Sequence, residues 1–149
     1  MQAAAIQVVF NLGAIGGNLL FGWLMDRASK RTTTIVMYAC LICSLAALTV
    51  LRGFLPSASA GFAVGLFAVG GQMVPYSLVP IHYPTLMRST GVGWSVAIGH
   101  LGSFAGPILA GEILQAGAAA AVIIAATAPG LLVAAVAALL VLRYPAAPD

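Results

Sequence analysis

Four side chains that could bind a ligand lie inside long apolar runs of the sequence. Gln72 and Asn11 carry amide groups, His100 carries an imidazole, and Tyr76 carries a hydroxyl on an aromatic ring. Such groups are costly to place in hydrocarbon unless they face a partner or a water-filled cavity. We expect Gln72 and His100 to contact a bound small molecule, with Tyr76 or Asn11 beside them. The alternative is that they form hydrogen bonds between packed helices.

Other reactive residue types lack the spacing that catalysis needs. Cys40 and Cys43 form a C-x-x-C pair inside an apolar run, where two small packing residues are a simpler interpretation than a redox pair. Ser95 and His100 lie five positions apart, so they are not neighbours on one helix surface. The sequence has no nucleophile elbow, metal-ligand spacing or phosphate-binding glycine loop. We therefore predict no enzyme activity, no catalytic residue, no metal and no cofactor.

The composition requires lipid as the surrounding solvent. Of 149 residues, 62% are apolar and only 6% are charged, whereas about a quarter of the residues in a soluble domain are charged. So few charges cannot cover a water-facing surface, and they do not form the basic patch of a nucleic-acid binder. We therefore predict an all-α, polytopic membrane protein with the lipid bilayer as partner and no nucleic acid.

Five apolar runs are long enough to cross a bilayer core, which needs about 20 helical residues. They form one partial domain over 1–149, with spans at about 3–25, 34–51, 60–80, 91–114 and 118–142. At about 1.5 Å per residue, Gln72 and His100 lie roughly 12–13 Å from the same membrane face. This is near the depth at which transporters bind their substrates.

The basic residues are distributed unequally between the two sides of the membrane. If the five spans cross alternately, one side receives only Arg52. The other side receives Arg27, Lys30, Arg31, Arg88 and Arg143. Because cytoplasmic loops are enriched in Lys and Arg, we expect the C-terminus inside and the N-terminus outside. A chain that begins outside without a leader suggests that an upstream part is missing.

Glycine and proline predict an irregular third helix. Gly70 and Gly71 are followed by Pro75 and Pro80, so this helix cannot be straight and regular. Irregular backbone at membrane depth is tolerated only against protein or a cavity. A gating role and a simple packing kink are both compatible with this pattern.

The fourth and fifth runs carry similar signals. Gly102 and Gly106 form a G-x-x-x-G pair that allows close helix packing, and Pro107 follows directly. We expect Pro107 and Pro129 to interrupt their helices as the prolines of the third run do.

The first loop carries a charged motif. Residues 22–31 read G-W-L-M-D-R-A-S-K-R, which resembles the G-x-L-x-D-R-x-G-R-K/R loop of the major facilitator superfamily. That resemblance implies a fold of two six-helix halves, with this loop joining helices at the cytoplasmic side. An anion at a helix C-terminus needs a cationic or donor partner, so the cluster can act as a latch in one conformation. The predicted gating residues are Gly22, Asp26, Arg27, Lys30, Arg31 and Arg88. Ser29 stands where the family usually has glycine.

A second stretch narrows the resemblance. Residues 83–94 read Y-P-T-L-M-R-S-T-G-V-G-W, and residues 99–107 read G-H-L-G-S-F-A-G-P. They are similar to the Y-P-T-x-x-R-x-T-G-x-G-W and G-R-x-G-x-x-x-G-P segments of the aromatic acid:proton symporter branch. His100 stands where that branch commonly has arginine, a natural anchor for a carboxylate. Histidine can bind a carboxylate in this way only when it is protonated.

The resemblance implies that the five spans are helices eight to twelve of a transporter. The implied function is proton-coupled symport of an organic or aromatic carboxylate by alternating access, in the bacterial inner membrane. Its implied partners are a small organic anion, a proton and the missing N-terminal half, which in this branch carries the acidic residues implicated in proton coupling. Five helices cannot supply both walls of an alternating-access cavity. The alternatives are therefore a truncated membrane fragment that transports nothing, or a half-transporter that needs a partner.

Overall fold

The structure is a computed structural model that describes residues 2–117 and 119–144. Its helices are α1 (Gln2–Arg27), α2 (Lys30–Val50), α3 (Phe54–Val64), α4 (Met73–Leu78), α5 (Arg88–Gln115) and α6 (Ala120–Val141). The described residues contain no strand, and the prediction of an all-α fold is confirmed. The predicted span 118–142 begins at residue 118, which lies outside the described residues.

Within the part of the chain that the structure describes, five helical segments are long and apolar enough to cross a membrane. The third of them, Phe54–His82, includes α3, α4 and the turns around α4, and we call it the broken helix. The helices form because their interiors are almost free of charge, so that backbone hydrogen bonds within each helix satisfy the peptide groups in lipid. The protein is therefore an integral membrane protein.

The irregularity predicted for the broken helix is confirmed. A π-helical turn at Gly65–Val69 is followed by a 3-10 turn at Gly70–Gln72, and a second 3-10 turn occupies Pro80–His82. Proline has no amide hydrogen, so Pro80 cannot donate the α-helical bond to the carbonyl oxygen of Tyr76. The backbone of the broken helix thus departs from α-helical geometry at residues 65–72 and again at residues 80–82.

Glycines let α1 approach the broken helix closely. A Cβ atom at Gly17 would lie 2.9 Å from Cα of Leu66, and one at Gly70 would lie 2.5 Å from Cα of Gly17. Real Cβ atoms essentially never come so near another heavy atom. These positions need glycine because the two backbones are in direct contact and leave no room for a side chain.

A small apolar core joins one end of the bundle. It contains five buried side chains from α1, α2 and the broken helix, namely Phe21, Met25, Met37, Val74 and Leu78. Leu142, directly after α6, packs against this core. The end of α1, the end of the broken helix and the end of α6 therefore lie at the same end of the protein, which we call the basic end because Arg27, Lys30 and Arg143 lie there.

The last two helices are largely uncovered. In α5 only Gly91 is buried, and none of the described residues of α6 is buried. α6 packs mainly along α2 and makes few contacts with α5. The exposed apolar surface of these two helices suits lipid or further helices rather than water.

The prolines of these two helices do not end them. α5 continues through Pro107 and α6 continues through Pro129, so the expected interruption is absent. One missing amide hydrogen is tolerated inside a long membrane helix. A Cβ atom at Gly102 or Gly106 would meet nothing within 4 Å, so close packing at these glycines stays a prediction.

Candidate functional site

A cavity of about 350 Å³ lies between the broken helix and α5. We call it the central cavity. Its size is within the usual range for small-molecule sites. Residues of both helices line it, namely Gln72, Pro75, Tyr76, Val79, Val92, Ser95, Ile98, Gly99, His100 and Ser103.

The cavity brings together three of the four side chains that the sequence predicts to bind a ligand. Gln72 ends the 3-10 turn and Tyr76 follows one helical turn later in α4, so both reach the cavity from the break. His100 reaches it from the opposite wall on α5. Asn11 is exposed on α1 and is not among the lining residues. Its role in binding stays a prediction that this cavity does not support.

Two serines complete the polar lining. The Ser95 hydroxyl donates to the Gly91 carbonyl oxygen at 3.1 Å, and the Ser103 hydroxyl donates to the Gly99 carbonyl oxygen at 3.2 Å. Each serine oxygen therefore faces other groups as an acceptor. Ser103 lies three residues after His100, so helical spacing alone could have placed it on the same face.

The hydrogen-bonding groups of Gln72 and His100 are available to a ligand. No other residue in the described part of the chain forms a hydrogen bond with either side chain. The amide of Gln72 can donate and accept, while a protonated imidazole donates from both nitrogens. The arrangement suits a small molecule with an acceptor group, such as a carboxylate, and a flat apolar body beside Tyr76 and Ile98.

The charged loop at the basic end is compact. Only Ala28 and Ser29 separate α1 from α2. Ser29 has φ −61° and ψ 116°, which any residue can adopt. The turn therefore does not need the glycine that the family motif has at this position.

The predicted gating residues are placed around this loop and at the start of α5. Asp26 is exposed, and the described residues offer its carboxylate no hydrogen bond or ion pair. The Arg27 guanidinium instead lies 5.6 Å from the ring centre of Trp23, a cation–π contact. The remaining members are a half-buried glycine and three cations, namely Gly22, Lys30, Arg31 and Arg88.

The start of α5 is fixed against the segment before it. Gly91 is buried, and a Cβ atom there would lie 2.8 Å from the ring of Tyr83. The tyrosine ring thus rests on the glycine. This contact helps to set where α5, and with it His100, lies relative to the broken helix.

Comparison with known proteins gives matches at the sequence level. The chain is 44% identical over 133 residues to the 3-(3-hydroxy-phenyl)propionate transporter of Escherichia coli K12. The aligned region covers 89% of this chain and 33% of that protein. It is 34% identical over 122 residues to the gallate transporter of Pseudomonas putida, covering 78% of this chain and 26% of that protein. It is 30% identical over 123 residues to the 4-hydroxybenzoate transporter PcaK of Pseudomonas aeruginosa, again covering 78% and 26%.

The chain thus spans about a third of the length of the first relative and about a quarter of the other two. No protein-family model matches it, and no solved structure matches it significantly. The matched relatives are named as transporters of aromatic acids, and none of these three is named as an enzyme.

Proposed function

The chain belongs to the major facilitator superfamily, and we propose that it forms part of a secondary active transporter that carries an aromatic carboxylate across the membrane. The three relatives described above are named for the transport of such acids. Its five membrane-length helices would correspond to helices eight to twelve of the superfamily fold.

The observation that carries this proposal is the central cavity. Gln72, Tyr76 and His100 meet there from two helices, at a break in the broken helix. Transporters of several folds bind their substrates where helices are discontinuous near the middle of the membrane. The carboxylate of the substrate would bind His100 and Gln72, and its ring would lie beside Tyr76.

Proton coupling would involve His100 in this part of the molecule. The imidazole is cationic only when both of its nitrogens carry a proton. A cationic ring attracts a carboxylate more strongly than a neutral one, so binding of the anion and binding of the proton favour each other. Transport of the two together by alternating access would follow from this linkage. The remaining proton-coupling groups would lie in the N-terminal half.

The exposed surface of α5 suggests that a further helical unit packs against it in the complete transporter. His100 and Ser103 lie on a helix of which only Gly91 is buried, and such polar groups are costly to leave facing lipid. We infer that an N-terminal half covers this side of the central cavity. The second candidate, a half-transporter that needs a separate partner, is favoured by the same surface.

The basic end would lie in the cytoplasm of a bacterial cell, with the protein in the inner membrane. The excess of Lys and Arg at this end supports that orientation. Asp26 and the cations around it would act as a latch between helix ends, because the exposed carboxylate has bonding capacity that another conformation can use.

A binding measurement tests the proposed function. The chain, joined to the N-terminal part of the Escherichia coli relative so that the central cavity is covered, is placed in lipid nanodiscs and titrated with radiolabelled 3-(3-hydroxyphenyl)propionate. The corresponding amide serves as a matched neutral competitor. We expect saturable binding that unlabelled acid displaces and the amide displaces at least tenfold less well, because the charged hydrogen bond is lost. Equal displacement by the amide, or no saturable binding, would contradict the proposal.

A further inference from the structure

A second cavity, of about 480 Å³, adjoins the central cavity. Six residues line it, namely Val79, His82, Tyr83, Ser95, Val141 and Tyr144. Val79 and Ser95 line both cavities. The two spaces are therefore neighbours along the groove between the broken helix and α5, and we call the second one the outer cavity.

The outer cavity lies toward the basic end of the protein. The central cavity involves residues 72–79 of the broken helix, whereas the outer cavity involves Val79 and His82 of this helix and Tyr83 directly after it. Val141 is the last residue of α6 and Tyr144 follows it. Leu142, between them, packs on the buried core of the basic end. The outer cavity is therefore the neighbour of the central cavity on the side of the basic end.

The end of the broken helix fixes the hydrogen position on His82. The His82 amide donates to the Val79 carbonyl oxygen at 3.2 Å, which is a 3-10 bond and leaves the Leu78 carbonyl without the usual α-helical donor. Nδ1 of His82 lies 2.8 Å from that Leu78 oxygen. A carbonyl oxygen can only accept, so Nδ1 carries the hydrogen, and Nε2 of the neutral ring is an acceptor.

Ser95, like His82, offers a hydrogen-bond acceptor to the outer cavity. Its hydroxyl hydrogen is directed to the Gly91 carbonyl oxygen, so its oxygen is left as an acceptor. The other walls are two valines and the aromatic rings of Tyr83 and Tyr144. The acceptors on His82 and Ser95 together with the aromatic walls suit a flat ring that carries a hydrogen-bond donor. The two tyrosine hydroxyls can either donate or accept.

We propose that the outer cavity is a second binding station for a hydroxylated aromatic acid, in which the ring hydroxyl donates a hydrogen bond to Nε2 of His82. The inference rests on the proposed function, because it takes the aromatic acid as the ligand. The central cavity recognises the carboxylate, and the outer cavity recognises the hydroxyl group. His82 is thereby a residue that distinguishes hydroxylated acids from unsubstituted ones.

Protection from alkylation tests whether the outer cavity is occupied. Val141→Cys is introduced into the chain joined to the same N-terminal part, with Cys40, Cys43 and any other cysteine replaced by alanine, and is labelled with a maleimide in nanodiscs. We expect 3-(3-hydroxyphenyl)propionate to slow labelling about threefold or more. The matched control is Ala128→Cys, which lines an apolar groove between α2 and α6, and its labelling rate should not change. Unchanged labelling of Val141→Cys would overturn the second station.

A pair of ligands tests the role of His82. In the Val141→Cys background, we compare protection by 3-(3-hydroxyphenyl)propionate with protection by 3-phenylpropionate, which lacks the ring hydroxyl. His82→Phe should weaken protection by the hydroxylated acid about threefold to tenfold, the effect of one lost hydrogen bond, and leave the other acid unaffected. His82→Gln keeps an acceptor and should retain the preference. Equal loss for both acids with His82→Phe would show a structural role and overturn the assignment.

A third cysteine separates this inference from the proposed function. Ser103→Cys lies in the central cavity. Protection of Ser103→Cys without protection of Val141→Cys would overturn only the second station. Absence of protection at both positions, together with no binding by the unsubstituted protein, would overturn the proposed function and this inference with it.

Discussion

His100 is the one residue lining the described central cavity whose side chain can become cationic. The surrounding groups are an amide, hydroxyls and apolar side chains, so they can orient an anion but cannot neutralise it. This gives His100 the largest expected share of the affinity for a carboxylate. Gln72 and Tyr76 would set the position of the ligand instead.

Replacing His100 should therefore weaken binding. We expect His100→Asn to raise the dissociation constant for an aromatic carboxylate about tenfold to a hundredfold, the range for a lost charged hydrogen bond. His100→Arg should keep most of the affinity because it supplies a permanent cation. Leu101→Ala is the matched control, since Leu101 is exposed and does not line the cavity. Unchanged affinity of His100→Asn in an equilibrium binding assay would remove His100 from the site.

Asp26 is the residue on which the latch depends. In a transport-competent protein, Asp26→Asn should lower the uptake rate about fivefold or more, since a conformational coupling is typically of this size. The amount of protein inserted in the membrane, measured by blotting, should stay normal. Glu112→Gln removes an exposed carboxylate from α5 and serves as the control. Normal uptake by Asp26→Asn would disprove the latch.

At the scale of elements, the break in the third membrane-length helix was predictable because glycine pairs and prolines act locally. The packing of α1 against that helix through glycine was predictable only as a possibility. Which glycines make contact depends on helix rotation, which a sequence does not give: Gly17 touches Leu66, whereas Gly16 next to it has open space around it. The turn at Ser29 was also not predictable from the motif: the family usually has glycine there, whereas this chain forms the turn with serine.

These two neighbouring glycines provide a test of the packing. Gly17→Ala should lower the free energy of unfolding by about 1–3 kcal/mol, because a methyl group would be forced against the Leu66 backbone. Gly16→Ala should leave it unchanged or raise it slightly, since alanine favours helix and the space is open. Thermal unfolding in detergent measures both variants. Equal stability of the two variants would contradict the close contact between α1 and the broken helix.

At the scale of the whole molecule, composition was sufficient to predict an all-α membrane protein. The charge bias also groups the basic residues at one end, where the structure joins the ends of α1, the broken helix and α6. The cavity between the broken helix and α5 could not be derived from the sequence alone. α5 makes few contacts with the other helices, so its sequence pattern does not mark the face that meets the broken helix. The positions of Gln72 and His100 within their predicted spans indicate similar heights in the membrane, but they do not indicate that the two side chains line facing walls of one cavity.

The orientation of the protein can be measured with cysteine labelling. In a background with Cys40→Ala and Cys43→Ala, Arg52→Cys should react with a membrane-impermeant maleimide in intact cells. Arg31→Cys should react only after the membrane is permeabilised, because the basic end is expected in the cytoplasm. The reverse pattern would show the opposite orientation.

The most direct test of transport is a chimera with the relative from Escherichia coli. This chain replaces the 133 residues that it matches in the 3-(3-hydroxy-phenyl)propionate transporter, and cells that lack the natural transporter are assayed for uptake of labelled 3-(3-hydroxyphenyl)propionate. We expect saturable uptake by the chimera and its loss with His100→Asn. A chimera that inserts normally but takes up no acid, or one whose uptake is unaffected by His100→Asn, would contradict this expectation.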